Sequence, residues 1–338
     1  MIRGWPVATV GTERGARRRR GGRRAGVLVA ALLAAGLAAG CTSGGSGDDG
    51  RGSAQESPTA TGPDGRPLPP VLAVKIDNAP EARPQTGLDE ADVVYVEQVE
   101  GGLSRLMAVY ATQLPESVGP VRSARESDLE LLRQFDQPLL AFSGAQGKLL
   151  PLIDRAPLTP VEPGSEDDAF TRDSARAAPH NLYVRPHRLL DDAPGEAALT
   201  TGFRDGPAPA GGTPEDEVTV RFPAARFTFT WSDADRAWKV AMDGTPATDG
   251  DGDRLTASTV VVQDVTVRSS GFRDFLGNNT PYTETVGSGK ATVLRDGRTY
   301  PAVWNRATAE DGTSFTTGDG EPLNFASGPV WVMLTSGR

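Results

Sequence analysis

The residues with the clearest capacity for chemistry lie in Gly119-Pro-Val-Arg-Ser-Ala-Arg125. This run sets Arg122, Ser123 and Arg125 at the start of a stretch whose apolar period predicts a helix from Ser123 to Phe135. Leu129, Leu132 and Phe135, with Leu131, draw its apolar face, and Ser123 with Glu126 has the spacing of a capping box. A helix start is electropositive, so cations are out of place there unless an anion or a nearby carboxylate offsets them. Exposed backbone N–H groups and two guanidinium forks would hold a carboxylate or phosphate. Neutralisation of the arginines by Glu126 and Asp128 is the competing, purely local explanation.

Asp77 and Asn78 close an apolar run, and Arg83-Pro84-Gln85 follows in the next loop. Glu97 and Glu100 close another run before Gly101-Gly102, with Arg105 beyond. Polar residues at strand ends beside flexible glycines build ligand crevices, and they also build ordinary turns. Asp77, Glu97 and Glu100 offer carboxylates for acid–base work, but their spacing along the chain fixes no separation in space. Ala178-Pro-His-Asn-Leu-Tyr183 contributes His180 and Asn181; the chain's other histidine is His187. His180 fits a catalytic or metal-bound role, or that of a loop histidine held by hydrogen bonds.

No cofactor motif is present. The glycine-rich stretch after Cys41 has neither a strand before it nor a helix after it, as a phosphate loop requires. A zinc site needs more His or Cys than the chain offers, carboxylates apart, so no metal is expected. Asp249-Gly-Asp-Gly-Asp253 mimics half of a calcium loop but lacks the sixth-place Gly and twelfth-place Glu, which reads as a solvated turn. No Gly-x-Ser-x-Gly occurs. Trp231, Trp238, Trp304 and Trp331 sit in strand-like runs and read as packing residues before sugar platforms.

The elements that must position these residues are short. The 338 residues include 40 Gly and 27 Pro, about a fifth of the chain, where about 12% is ordinary, so long helices cannot dominate. Val71–Ile76, Asp92–Glu97, Leu106–Tyr110 and Leu139–Phe142 read as strands, and Gln146–Ile153 and His187–Asp192 as two further short helices. This alternation predicts an α/β layered domain over 70–192. Pro, Gly and Ala crowd 193–217, which reads as a linker. From 218 to 338 the runs are strand-like, with Asp243-Gly244, Asp296-Gly297 and Asp319-Gly320 as turns, predicting a smaller, mostly antiparallel β domain. The expected class is α+β. Lys75, in an otherwise apolar run, suggests a half-exposed strand.

The first 40 residues carry eight Arg and one Glu, which leaves −16 of the net −9 on the other 298. So acidic a remainder argues against binding nucleic acid, which draws affinity from clustered Lys and Arg. Arg14 to Arg24 precede thirteen small or apolar residues, Val27–Ala39. As a helix these would cover about 20 Å of a roughly 30 Å hydrocarbon core, so 1–40 reads as an export signal. Arg23-Arg24 is a faint twin-arginine signal, leaving the export route open. Leu37-Ala-Ala-Gly-Cys41 resembles a bacterial lipoprotein box, with Ala38 where Leu is usual. Cys41 is the only cysteine, so no disulfide can form within the chain, and lipidation gives the lone thiol a reason. Two acyl chains would anchor the protein durably in the membrane. Residues 41–69 then form a tether that sets the folded part roughly 30 Å away.

Val74-Lys-Ile-Asp-Asn78, Ala82-Arg-Pro-Gln85, Ala91-Asp-Val-Val-Tyr95, Val99-Glu-Gly-Gly102, Gly119–Arg125 and Pro179-His-Asn-Leu-Tyr183 resemble the YerB family of bacterial lipoproteins. The resemblance runs from about Pro69 to Leu334 and is weaker in the second half, as in Leu255–Val262. It implies lipoprotein character and two consecutive domains of unknown function, and it implies no reaction.

The expectation is therefore a lipid-anchored protein on the extracytoplasmic face of a bacterial membrane. Its binding or accessory role would use Asp77, Asn78, Arg83, Glu100, Arg105, Arg122, Ser123, Arg125, His180 and Asn181 around an anionic group. Peptidoglycan, a peptide or an envelope protein is the candidate partner. The alternative is a cell-wall hydrolase with Glu100 or Asp77 as base and His180 as acid or ligand. A structural adaptor binding proteins through the β domain is a third class.

Overall fold

The computed structural model describes residue 65 and residues 67–337, apart from 166, 167 and 275. The expected signal, Cys41 and nearly all of the tether lie outside the described residues. The chain runs through β1 (Leu72–Ile76), β2 (Val93–Gln98), β3 (Ser104–Tyr110), α1 (Glu126–Leu132), β4 (Leu139–Ala141), α2 (Leu150–Ile153), β5 (Thr159–Val161), β6 (Phe170–Arg172) and β7 (Leu182–Val184). It continues with β8 (Thr213–Pro214), β9 (Glu217–Phe222), β10 (Ala225–Ser232), β11 (Ala237–Met242), β12 (Thr245–Pro246), β13 (Thr256–Ala257) and β14 (Thr259–Asp264). Then come β15 (Val267–Arg273), β16 (Asn279–Thr283), β17 (Gly287–Arg295), β18 (Arg298–Arg306), β19 (Ser314–Thr316) and β20 (Val330–Thr335).

The expected α+β class with a layered α/β first domain is wrong: strands hold 41% of the described residues and helices 9%. The helix expected from Ser123 to Phe135 is only Glu126–Leu132, Gln146–Ile153 shrinks to Leu150–Ile153, and His187–Asp192 is a single 3-10 turn at Pro186–Arg188. Ser123 caps nothing. Arg125 stands at the N-cap and its N–H is accepted by Asp128 Oδ2 at 2.6 Å, a reach-back from the third helical position. Seven residues is too short for a helix to persist without packing, and the apolar face here is held against a sheet.

That sheet has eleven strands in the order β19-β18-β17-β14-β20-β2-β3-β1-β4-β5, with β8 beside β18. β20, from the end of the chain, lies parallel between β14 and β2, with Val332 opposite both Val261 and Tyr95. One face packs α1, the turn that follows it and α2 through Leu131, Leu132, Phe135 and Ile153 against Val71, Ala73, Met107 and Val332. The other packs on a five-stranded sheet, β12-β11-β10-β9 with β13 on β11, where Phe227, Phe229 and Trp238 meet Val74, Val94 and Trp331. Covered on both sides, the central strands are continuous apolar runs such as Val-Trp-Val-Met-Leu in β20, whereas β11 alternates buried and half-buried residues. Asp296 and Gly297, both at positive φ, turn β17 into β18 as Asp-Gly turns do.

Candidate functional site

Segment 118–122 is fastened on both sides. Gly119 bridges Thr86 and Val121 bridges Ile76 at the end of β1, while Val118 bridges Val184 and Val121 N donates to Leu182 O in β7. Arg122 N donates to Lys75 O at 2.7 Å. This ladder sets the ends of β1 and β7 against the loop before α1, and so brings Asp77, Arg122 and His180 together. Gly119 fits because a Cβ there would lie 2.7 Å from Tyr183 Cδ1 and 2.8 Å from Leu182 O.

One oxygen of Asp77, Oδ2, meets His180 Nδ1 at 2.8 Å and Arg122 Nε at 2.9 Å. The Arg122 N–H is not aimed at that oxygen and has no hydrogen-bond acceptor, so the contact is Coulombic. Burial pushes the Asp77 carboxyl up, but Arg105 and Arg122, with the Ala79 N–H and His180, outweigh it and hold the pKa below the ordinary value. A lasting carboxylate fixes the imidazole through Nδ1, and no described residue partners Nε2.

Beside this group, Arg105 and Arg125 both donate to Ser123 O, at 3.3 and 3.4 Å. Arg125 Nη2 also pairs with Glu100 Oε2 at 2.7 Å, and Glu100 Oε1 accepts from Thr280 Oγ1 at 2.6 Å. Burial raises the Glu100 carboxyl, and the hydrogen bonds and charge of Arg125 with Thr280 bring it below the ordinary value. Arg105 is 8% exposed and has no carboxylate within ion-pair distance among the described residues. Burial, then the charge of Arg125, push its pKa down to about 10. Three guanidiniums thus face two carboxylates, and the Nε of Arg105, Arg122 and Arg125 are all buried without acceptors.

The remaining sequence candidates hydrogen-bond or pair within the protein. Asn78 Oδ1 accepts from Arg83 Nε at 3.1 Å and Gln85 Nε2 at 2.8 Å, and its Nδ2 donates to Ser104 Oγ at 2.9 Å. Arg83 reaches away to Asp243 at 2.8 Å. Asn181 Oδ1 accepts from Arg172 Nη1 at 2.9 Å, tying β6 to β7. The local neutralisation of the arginines is not what forms: Arg122 and Arg125 find Asp77 and Glu100, while Asp128 turns to Lys75. Among the described residues no group of three or more His, Cys, Asp or Glu side chains is placed to hold a metal ion.

Sequence reading missed the layer beneath. Lys75 is fully buried, contrary to the half-exposed strand expected, and its Nζ pairs with Glu97 and, at 2.6 Å, with Asp128 Oδ1. Ser127 Oγ donates to the other Glu97 oxygen at 2.8 Å. A lysine inside an apolar strand was the available signal, since a buried cation demands partners. Also missed was a cavity of about 390 Å³ beside the arginines, walled by Glu100, Ser123, Arg125 and Glu126 on one side and by Phe272, Arg273 and Thr280 of the β15–β16 hairpin on the other.

Fold and site thus define a protein of two packed β-sheets whose large sheet carries a partly buried arginine–carboxylate cluster at one end of β1. Residues 59–199 match the family described as "Protein of unknown function (DUF3048) N-terminal domain", and residues 218–332 match its C-terminal domain. The chain belongs to this family. A relative, "Putative lipoprotein YerB" of Bacillus subtilis (strain 168), is 25% identical over 273 residues, spanning 78% of this chain and 80% of the relative. The crystal structure of YerB protein from Bacillus subtilis superposes with a TM-score of 0.66 at 21% identity, covering 79% of this chain and 91% of that one, which is a likeness of fold.

Proposed function

We propose that this protein is a lipoprotein, anchored through Cys41 on the extracytoplasmic face of the membrane, whose folded part binds an anionic ligand at the arginine cluster. The anchor is supported by the apolar run ending at the lone cysteine and by the name of the Bacillus relative. The observation that carries the binding role is the set of three guanidiniums, that of Arg105 buried and those of Arg122 and Arg125 partly exposed, whose Nε–H groups are unsatisfied against two carboxylates. Buried unpaired donors destabilise a fold, and an arriving anion would satisfy them. An envelope setting makes peptidoglycan fragments, anionic glycans and peptide termini the relevant chemistry. Calorimetric titration with muropeptides, anionic glycans and inorganic phosphate tests it: Arg122→Ala and Arg125→Ala should each weaken binding by about 1.5–3 kcal/mol. A ligand bound equally by wild type and both variants would refute the site.

A second reading, a wall hydrolase, is favoured by the Asp77–His180 contact alone. Glu100 is engaged by Arg125 and Thr280, so the acid–base pair would be His180 oriented by Asp77. Release of soluble fragments from purified sacculi, lost in His180→Ala, would support it. No release by wild type would reject it.

A further inference from the structure

We infer that the cavity beside the arginines takes a zwitterion, an α-amino acid or short peptide with free ends, its carboxylate meeting Arg125 and Arg273 and its ammonium meeting Glu126. This rests on the anion-binding reading above and narrows its ligand class.

The cavity walls carry both signs of charge, and several of these charges are already engaged. Glu100 is taken by Arg125 and Thr280. Asp274 accepts from the N–H groups of Leu276 and Asn278 and from Asn278 Nδ2, so it closes the hairpin turn. Three groups remain. Arg125 pairs with Glu100 through Nη2 and donates Nη1 to Ser123 O and Ala124 O, so what remains of it is Nε, buried with no acceptor. Arg273 donates Nη1 to Gly277 O at 3.0 Å and, among the described residues, meets no carboxylate. Glu126 Oε2 is buried with no donor. Arg268, whose charge feels Glu126, is committed to Glu284 at 2.6 Å and lies over the Tyr282 ring.

A buried donor without an acceptor, an exposed arginine without a carboxylate and a buried acceptor without a donor, all on one cavity, ask for a ligand that supplies an anion and a cation at once. A polyanion would satisfy the arginines but meet Glu126 with like charge, and inorganic phosphate likewise brings only negative charge and no cation for Glu126. A zwitterion answers both, with the usual charge-assisted geometry at each end. Phe272 and Leu149 give the wall between them an apolar surface for an aliphatic side chain, and about 390 Å³ is the scale of small-ligand pockets.

The test is calorimetric titration of the solubilised full chain with L-alanyl-L-alanine and D-alanyl-D-alanine, their N-acetyl forms, their C-terminal amides, and inorganic phosphate. The free dipeptide should bind. N-acetylation or Glu126→Gln should weaken it at least about tenfold, and amidation or Arg273→Ala by a similar factor. Preference for the D series would point to wall stem peptides, and for the L series to ordinary peptides. Equal binding of N-acetyl and free dipeptide, or binding of phosphate alone, would overturn the zwitterion while leaving the anion site standing. Equal binding of amide and acid, or binding of none of these probes, would overturn the zwitterion, and the anion site falls with it if muropeptides and anionic glycans also fail to bind. Unchanged thermal unfolding of Glu126→Gln and Arg273→Ala separates lost recognition from lost fold.

Discussion

Lys75 Nζ lies 2.6 Å from Asp128 Oδ1, and neither side chain reaches solvent. The contact joins the middle of the large sheet to α1. Asp128 Oδ2 also accepts the Arg125 N–H, so the same carboxyl that answers the buried lysine orders the backbone of a site arginine. Glu97 is the second carboxyl on Lys75. Removing the lysine leaves two carboxyls without their cation, and Lys75→Met should cost about 3–5 kcal/mol in chemical denaturation. Adding Glu97→Gln and Asp128→Asn should restore much of that.

The same pair sets a pH dependence. Burial pushes Asp128 up to about 7, with Glu97 adding to it and Lys75 opposing. The folded protein therefore keeps a proton that the unfolded chain releases above 3.8, so stability falls as pH rises from 3.8 to about 7 and levels off beyond. Burial also pushes Glu97 up, but Lys75 outweighs it and the pKa is lowered, so that contribution is lost only as acid protonates it, below 4.5. Asp128→Asn should remove the slope between about pH 5 and about 7, seen as the difference in Tm between wild type and variant. Parallel Tm curves would place the proton elsewhere.

Arg105 should show a trade between stability and binding. A buried cation with no carboxylate in contact is destabilising, so Arg105→Met should raise stability by about 1–3 kcal/mol while weakening phosphate or peptide binding. Denaturation and calorimetry on one preparation measure both. A loss of stability would show that Asp77 and Glu100 need this cation for folding.

Gly119→Ala should destabilise by about 1–3 kcal/mol, because the new Cβ meets backbone and ring atoms that cannot yield without moving β7. His180 would move with it. Denaturation reports the first effect, and a shifted His180 ring signal in a proton–nitrogen correlation spectrum the second.

Limited proteolysis should cut before Pro70 and within 193–217, yet the nicked fragments should co-elute on size exclusion. β20 is hydrogen-bonded between β2 and β14, so a cut between them leaves the sheet intact. Fragments that separate without denaturant would mean this pairing is weak.

Cys41→Ser should release the protein from membranes or leave its signal attached. Membrane fractionation with a mass measurement decides it, and normal processing and retention of the variant would end the lipoprotein reading.

Much of the strand set was legible along the chain. The apolar runs of β1, β2, β3 and β20 and the Asp-Gly turn at Asp296 are local signals, because β-branched side chains and positive-φ turns act within a few residues. The helices were overcalled because an apolar period marks a buried face without saying how far tertiary packing sustains it, and α1 ends at Leu132. Lys75 was visible as an anomaly, but its partners Glu97 and Asp128 were not. The site depends on pairings across 103 residues for Asp77 with His180 and 180 for Glu100 with Thr280. Residue types near a turn propose such groups, but which carboxylate meets which arginine follows from strand order. That order was decided when both faces of the large sheet were buried and β20 took its place beside β2, a choice made by the whole core and written in no local stretch.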